Sequence, residues 1–391
     1  MSLFSKQHQP TGQALGLDIG SRVVKAILME HGTGTVDIRA AGSFAVQEGL
    51  VEGGVVLDPP AFGRKLAAQL RSWDISAPSA ILSIPSSLAV LRWVNLPQLE
   101  GDELRAAARY KAKRHLPFAV DTAYVEATPV DTSPGGTGSS LVIAVRRDVV
   151  DSRAEAIEHA GLTPIIAELE AQAILRVIER RLNEQSALWR DASLTIIDIG
   201  AVNTHMYVVQ NQQLQFIRGI KFGAGRFASA LAEQLSITPE EAMEMLRDPQ
   251  TSVTAEGMLQ VQAGDLPLRV NVQIEFEKLT REFLRLLRYF RSLHPERSFA
   301  GILDHLILCG GFSGLEGLAE YLGAQLGLRV ERAKPFAGMM GKFDEESFQS
   351  ISNQQEAFIV AVGLALAGTP GRSESVGVVN DGSEFVWARS A

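Results

Sequence analysis

The sequence predicts a mixed α/β protein built by internal duplication, and three observations carry that prediction. Ala14–Asp18, Ile19-Gly20-Ser21 and Val23–Glu30 read as strand, glycine turn and strand. Leu194–Gly200 followed by Thr204–Val209 repeats the pattern, so Asp-Ile-Gly recurs at Asp18 and Asp198, 180 residues apart. Leu303–Leu308 is a mainly apolar strand that runs directly into Cys309-Gly310-Gly311-Phe312-Ser313-Gly314. A chain of 391 residues has room for two or three domains.

The remaining elements follow in order. Val36–Val46 reads as a third strand. Asp58-Pro59-Pro60 caps and starts a helix to about Trp73, with Phe62, Leu66 and Leu70 at helical spacing, and Ser79–Ile84 returns as a strand. Gly101–Leu116 is a charged helix stopped by Pro117. Ala123–Thr128 and Leu141–Val145 read as strands around a flexible tip at Pro134–Ser140, so Leu88–Pro164 forms an inserted α/β subdomain. Glu170–Asn183 is a helix, Leu214–Lys221 a strand, Phe227–Leu235 a helix and Leu315–Leu326 an amphipathic helix.

Composition narrows the function. Hydrophobic residues make 46% and charged residues 21%, which places the chain among globular proteins. Cys309 is the only cysteine, and the seven histidines are scattered, so neither a disulfide nor a zinc-type cluster is expected. The net charge of -8 argues against a nucleic-acid binder. There is no apolar run of membrane-spanning length, and the first residues lack a signal-peptide pattern, so a cytoplasmic location is expected. The sequence contains neither G-x-x-x-x-G-K-[ST] nor G-x-S-x-G, which removes P-loop and α/β-hydrolase readings. Gly223-Ala224-Gly225-Arg226-Phe227-Ala228 matches a dinucleotide fingerprint, but the strand before it pairs with an antiparallel neighbour instead of opening a βαβ unit.

An Asp-x-Gly turn between antiparallel strands presents backbone N–H groups without side chains in the way, which suits phosphate. The adjacent Asp suits a water on a magnesium ion. One such turn says little; two in duplicated context with a later strand-Gly-Gly turn favour a phosphate-binding role over ordinary glycine turns.

These three segments in this order resemble the actin-like ATPase superfamily, in which two ribonuclease-H-like halves clamp ATP between two phosphate hairpins and an adenosine loop. Leu91–Pro97 (LRWVNLP), Ala108–Phe118 (ARYKAKRHLPF) and Phe358–Leu366 (FIVAVGLAL) look like the PilM family of type IV pilus assembly, relatives of FtsA. The resemblance covers about Leu15 to Gly368. It implies an actin-like ATPase fold of two duplicated ribonuclease-H-like domains with an FtsA/PilM-type 1C insertion. The implied boundaries are a tail at 1–13, subdomain 1A at 14–87, subdomain 1C at 88–164, a return to domain 1 at 165–190, and domain 2 at 191–355 with a helical 2B around 226–300. A helix at 356–368 then returns to domain 1, and 369–391 is a flexible tail.

Carried over by motif, Asp18 and Asp198 serve Mg2+ through water, and Gly20, Ser21 and Arg22 form the first phosphate loop with Lys25 pointing back to phosphate. Gly200, Ala201, Val202, Asn203 and Thr204 form the second loop. Glu170 stands where relatives orient the attacking water, although an ordinary helix-start acid fits it as well. Gly310, Gly311, Phe312 and Ser313 line the adenosine pocket. The chain departs from the family at Met243 and Leu246, where relatives carry an acid and a lysine near the ribose, and at Phe312, which either stacks on adenine or blocks it. Lys111 and Lys113 replace acidic positions.

The resemblance therefore implies an ATP- and magnesium-binding scaffold for the inner-membrane components of a type IV pilus or type II secretion-like machine, with slow or absent turnover, at most a slow ATPase. It is recruited to the cytoplasmic face of the inner membrane by an N-terminal cytoplasmic peptide of a PilN-like protein, and pilus motor components are further partners. A sugar kinase of the same superfamily and a scaffold that has lost nucleotide stay open as alternatives, as does the oligomeric state. The basic cluster Arg105, Arg109, Lys111, Lys113, Arg114 and His115 reads as a solvated helix face. Thr280–Leu293 reads as a helix packed on the second domain, with a membrane surface as the competing reading.

Overall fold

The computed structural model describes residues 12–31, 36–97, 99–129, 138–185, 193–210, 213–264, 266–293, 305–342, 345–368, 376–380 and 385–389. Two compact units emerge: Met1–Ile174 with Met339–Phe343 and Val360–Ala391, and Leu175–Gly338 with Asp344–Ile359.

The first unit opens with an antiparallel meander of β1 (Gln13–Ile19), β2 (Val23–His31) and β3 (Val36–Ala45), followed by a small hairpin of β4 (Val51–Glu52) and β5 (Val55–Val56). Helix α1 (Pro59–Ser72) starts where Asp58 accepts the Ala61 N–H at 2.9 Å, and it buries the Phe62, Leu66 and Leu70 stripe. Strand β6 (Ser79–Ile84) joins β1 in parallel. An inserted three-stranded sheet then takes β7 (Val90–Leu96), β8 (Ala123–Pro129) and β9 (Gly138–Arg146) in the order β7-β9-β8, with α2 (Gly101–Ala112) between the first two in sequence. Leu96, Leu104, Ala108, Val125, Val142 and Ala144 give this insertion its own core. The Pro134–Ser140 tip falls largely outside the described residues. Helix α3 (Arg147–His159) continues straight from β9, β10 (Thr163–Leu169) adds in parallel to β6, and α4 begins at once (Glu170–Gln185).

The second unit repeats this plan. Strands β11 (Leu194–Ile199), β12 (Thr204–Gln210) and β13 (Gln213–Ile220) form the meander, and α5 (Ala224–Leu235) and α6 (Pro239–Arg247) follow. A Thr238–Glu241 capping box starts α6. A small sheet of β14 (Ser252–Val253), β15 (Met258–Ala263) and β16 (Leu266–Asn271) precedes α7 (Gln273–Leu293). Strand β17 (His305–Cys309), α8 (Leu318–Leu326) and β18 (Val330–Arg332) complete the unit's main sheet in parallel with β11. Both main sheets run third-second-first-fourth-fifth through their own strands, β3-β2-β1-β6-β10 and β13-β12-β11-β17-β18. The duplication read in two Asp-Ile-Gly motifs is therefore a duplication of whole sheets. Phe283, Leu286, Leu287 and Phe290 of α7 lie in the second unit's core, so the helix has no apolar stripe left for a membrane.

Late segments return to both units. Strand β19 (Met340–Gly341) pairs with β3, α9 (Glu345–Ser352) belongs to the second unit, and α10 (Ile359–Ala367) packs in the first. Its IVAVGLALA sequence is apolar on all sides, as a fully buried helix requires. A Cβ on Gly16 would stand 2.1 Å from Ala361 O, and one on Gly363 2.0 Å from Ala173 O. Bare glycines let α10 touch both β1 and α4.

The C-terminal segment differs from the expected flexible tail. Strand β20 (Val376–Asn380) pairs antiparallel with β10, and β21 (Phe385–Arg389) pairs with β20. Val-Gly-Val-Val and Phe-Val-Trp are β-branched and aromatic runs, and without them β10 would be an open sheet edge.

Candidate functional site

In the first unit, β1 and β2 pair so that Asp18 lies opposite Lys25, and Lys25 Nζ donates to Asp18 Oδ2 at 3.0 Å. Asp18 Oδ1 accepts from Ser83 Oγ at 3.1 Å, and that hydroxyl in turn accepts the Ile19 N–H. Both carboxylate oxygens are thus engaged, with the residue 4% exposed. Gly20 N–H closes the turn onto Val23 O at 3.1 Å and leaves Ser21 and Arg22 exposed at the tip.

Arg153 supports this turn from behind. It is 1% exposed, and its guanidinium donates to Gly54 O at 2.8 Å, Ile19 O at 3.0 Å and Ser83 O at 2.9 Å. Burial pulls its pKa down to about 10, opposed by Glu170 and Asp18, so it stays a cation at neutral pH. Glu170 begins α4, and its Oε2 accepts the Ser86 N–H at 3.1 Å while Ser86 Oγ accepts the Ala171 N–H. The acid thus ties the start of its helix to the end of β6.

The second unit repeats the register. Asp198 lies opposite His205 as Asp18 lies opposite Lys25, and Gly200 N–H closes onto Asn203 O at 3.0 Å. Val202 is 47% exposed at the tip, with Ala201 and Asn203 half-buried beside it. Thr204 turns inward and donates its hydroxyl to Phe222 O at 2.6 Å. His205 is buried, and desolvation lowers its pKa to about 4, so it is a neutral imidazole at pH 7. Its Nε2 has no hydrogen-bond partner among the described residues.

The dinucleotide-like run has a different use. Ala224 N–H donates to Gly200 O at 3.0 Å and Gly225 N–H to Ala201 O at 2.9 Å, so the first amides of α5 brace the second turn and are withdrawn from any ligand. A Cβ on Gly223 would lie 2.6 Å from Gly200 O, which explains glycine there by space alone.

The Gly-Gly turn follows β17. Gly310 has φ +90°, and a Cβ on it would fall 2.2 Å from Asp198 Oδ1. Its N–H donates to Glu356 O at 3.1 Å, and Phe312 N–H donates to Ile199 O at 3.1 Å. The Phe312 ring is 3% exposed and stacks on Phe227 at 4.6 Å inside the unit's core, so it neither stacks on a ligand nor blocks one. Ser313 bonds Cys309 O through its hydroxyl. Only Gly311 stands open. Burial, then Asp198 and Glu356, raise the Cys309 thiol well above its usual range, which leaves it an inert side chain.

Beside Gly311 lies a cavity of about 440 Å³, lined by Leu246 and Arg247 from the end of α6, by Gly314 and Leu315, and by Arg332 and Glu356. Leu246, expected near a ribose, forms an apolar wall; Met243 packs on the core. In the inserted subdomain, Arg105 pairs with Glu126 at 3.0 Å and Arg109 with Asp121 at 3.2 Å, whereas Lys111, Lys113, Arg114 and His115 are exposed.

Sequence reasoning missed Ser83, Arg153, His205 and Glu356. His205 had a signal, since it follows Asp198 by the interval that separates Lys25 from Asp18. The other three reach their sites from distant segments that no local pattern marks.

Two solved structures share the architecture. A PilM-PilN type IV pilus biogenesis complex matches with 25% identity and a TM-score of 0.76, over 92% of this chain and 99% of that one. Ethanolamine utilization protein EutJ from Carboxydothermus hydrogenoformans matches with 12% identity and a TM-score of 0.50, over 91% of this chain and 90% of that one. The twin sheets and inserted subdomain are those of the actin-like ATPase fold. The family model for the type IV pilus assembly protein PilM matches residues 16–369, spanning both hairpin turns, the insertion and α10, and the chain therefore belongs to the PilM family.

Proposed function

We propose that this chain is an ATP-binding scaffold of type IV pilus assembly, holding the nucleotide phosphates through its two hairpin turns. One observation carries the reading. Each unit closes an Asp-Ile-Gly turn with the same glycine N–H to carbonyl bond, 3.1 and 3.0 Å, at the same register in a sheet of the same order. Exposed tip amides between strands suit anions, and Lys25 and Arg153 supply positive charge at the first turn.

Asp18 fits a magnesium ion through water better than by direct bonding, because Lys25 and Ser83 already engage both of its oxygens. Mg2+, when bound, neutralises phosphate charge. Asp198 would serve the same ion, and Glu170 would orient a water. Hydrolysis is slow on this reading, since Leu246, an apolar wall, and Met243, packed on the core, stand where the resemblance places an acid and a lysine. Calorimetry with magnesium-ATP tests it: micromolar binding is expected, with loss in Asp18→Ala and Gly200→Val. Heat unchanged by both substitutions would refute the assignment.

A specific observation favours a second reading, a scaffold without nucleotide. Gly310 N–H, Phe312 N–H and the Ser313 and Thr204 hydroxyls are all spent inside the protein. Absence of any heat with ATP would select it.

The partner on either reading is the N-terminal cytoplasmic peptide of a PilN-like inner-membrane protein, docked on the inserted subdomain within Leu88–Pro129, with pilus motor components as further contacts. The PilM-PilN complex supports this by similarity. No helix among the described residues is long and apolar enough to cross a membrane, so the peptide supplies recruitment to the inner membrane's cytoplasmic face. Exposed Lys111 and Lys113 favour an acidic flank on the peptide. Fluorescence anisotropy should show Lys111→Glu/Lys113→Glu losing affinity, more at low salt. Equal binding removes the charge argument, and failure of any such peptide removes the docking site.

A further inference from the structure

The C-terminal hairpin stands where two sheets of the first unit turn their edges toward each other. In the main sheet β10 is followed only by β20 and then by β21, so the hairpin alone covers the β10 edge. In the inserted sheet, ordered β7-β9-β8, the outer strand is β8. Cα atoms of β21 come within 8 Å of those of β8, so the hairpin fills the space between β10 and β8. Among the described residues no other strand pairs with the outer edge of β8 or of β21.

Three features make this hairpin a removable cover. The family match ends at residue 369, before the hairpin begins. Its hold on β10 is short: Ile166, Ala167 and Glu168 pair with Val379, Val378 and Gly377, whereas β10 pairs with β6 from Thr163 through Leu169. A two-stranded hairpin is marginal by itself, so away from the edge little keeps it ordered. With the hairpin gone, β10 and β8 would flank a cleft with unpaired backbone groups on both sides, which suits an extended segment.

Strand β8 (Ala123–Pro129) belongs to the stretch on which the partner's peptide is placed above. Resting on that placement, we infer that the hairpin is an intramolecular plug: Val376–Asn380 occupies the β10 edge in cis, and the extended N-terminal peptide of the inner-membrane partner takes the same edge in trans. The strand that β10 already accepts defines what a rival must offer, an extended antiparallel backbone. A plugged chain binds with its intrinsic affinity reduced to the fraction of open molecules. An open state populated at about 0.1–10% weakens binding roughly 10- to 1000-fold.

The test is fluorescence anisotropy on the full chain with the labelled N-terminal peptide of the PilN-like protein. Ile166→Cys/Val379→Cys places two thiols on a cross-strand pair, within disulfide reach, and Cys309 is buried and does not compete. Oxidised, this protein should lose binding, and reduction should restore it. Val378→Pro removes a β20 N–H, loosens the hairpin and should bind the peptide roughly 10- to 1000-fold more tightly than wild type. Hydrogen exchange on wild type should show saturating peptide releasing β20 and β21 while β10 stays protected. Equal affinity in all forms overturns the plug and leaves peptide docking intact, as does weaker binding by Val378→Pro, which would make the hairpin part of the docking surface. Strands β20 and β21 that stay protected at saturating peptide overturn it as well, without any variant. No binding in any form overturns both the plug and the docking placement.

Discussion

Glu126 makes the inserted subdomain sensitive to pH in a direction opposite to most carboxylates. It sits on β8 with 8% exposure, and Arg105 Nε lies 3.0 and 3.2 Å from its two oxygens. Burial nevertheless dominates and raises its pKa from 4.5 to about 7, with Arg105 opposing. Between these values the folded subdomain holds a proton that the unfolded chain has released. Its contribution to stability is complete below pH 4.5 and is lost as pH rises through 7, about 3 kcal/mol in all by linkage. Hydrogen exchange at β8, β9 and α2, corrected for intrinsic pH dependence, should show local opening becoming easier from pH 5 to pH 8. Glu126→Gln cannot titrate and should flatten that trend. Parallel pH slopes in the two proteins would show that Arg105 outweighs burial and would refute the reasoning.

Two further perturbations test the packing. Gly16→Ala and Gly363→Ala each place a methyl about 2 Å from a backbone oxygen and should destabilise the first unit by roughly 1–3 kcal/mol, seen as a lower melting temperature; unchanged melting would disprove the contact of α10 with β1 and α4. Phe312→Ala removes a ring stacked on Phe227 in the second unit's core and should cost about 3–5 kcal/mol in urea denaturation. A loss below about 1 kcal/mol would mean the ring is not core.

The duplicated sheets were legible because each hairpin carries its own local signal: alternating apolar strands, a glycine turn and an aspartate before it. The α1 stripe was legible for the same reason, whereas α10 was reached through the family resemblance of Phe358–Leu366. Phe312 shows where reading along the chain stops. Its place in a glycine loop suggested a ligand contact, yet the neighbour that decides its role, Phe227, is 85 residues earlier in sequence. At Gly223 the sequence already set aside a dinucleotide site from the antiparallel strand before it, but the glycine's partner, the turn at Gly200, was not legible. Glu170 was visible as a helix-start acid, but its bond to Ser86 N–H depends on β6, which arrives from 84 residues away. Val376–Asn380 and Phe385–Arg389, read as part of a flexible tail, form strands whose pairing depends on the edge of β10, which no local pattern marks; the rest of 369–391 lies outside the described residues.

The register shared by Lys25 and His205 leads to a last prediction, in which the second unit answers acid in the sense opposite to the inserted subdomain. At the first turn a lysine is paired with Asp18; at the equivalent position His205 is buried and neutral, its pKa lowered by desolvation from 6.5 to about 4. As pH falls below 6.5 the unfolded chain takes up a proton that the folded unit refuses until about pH 4. Stability is therefore lost on acidification across that window, by about 3 kcal/mol. Between pH 6.5 and 4.5 acid should protect β8 and β9 while it loosens β11 and β12. Peptide-resolved hydrogen exchange reads both trends in one sample. His205→Asn keeps a polar side chain that does not titrate and should abolish the second trend alone. A second-unit slope that survives His205→Asn, or two units drifting in the same direction, would mean that the imidazole finds a proton acceptor on charging and that burial is not what holds it neutral.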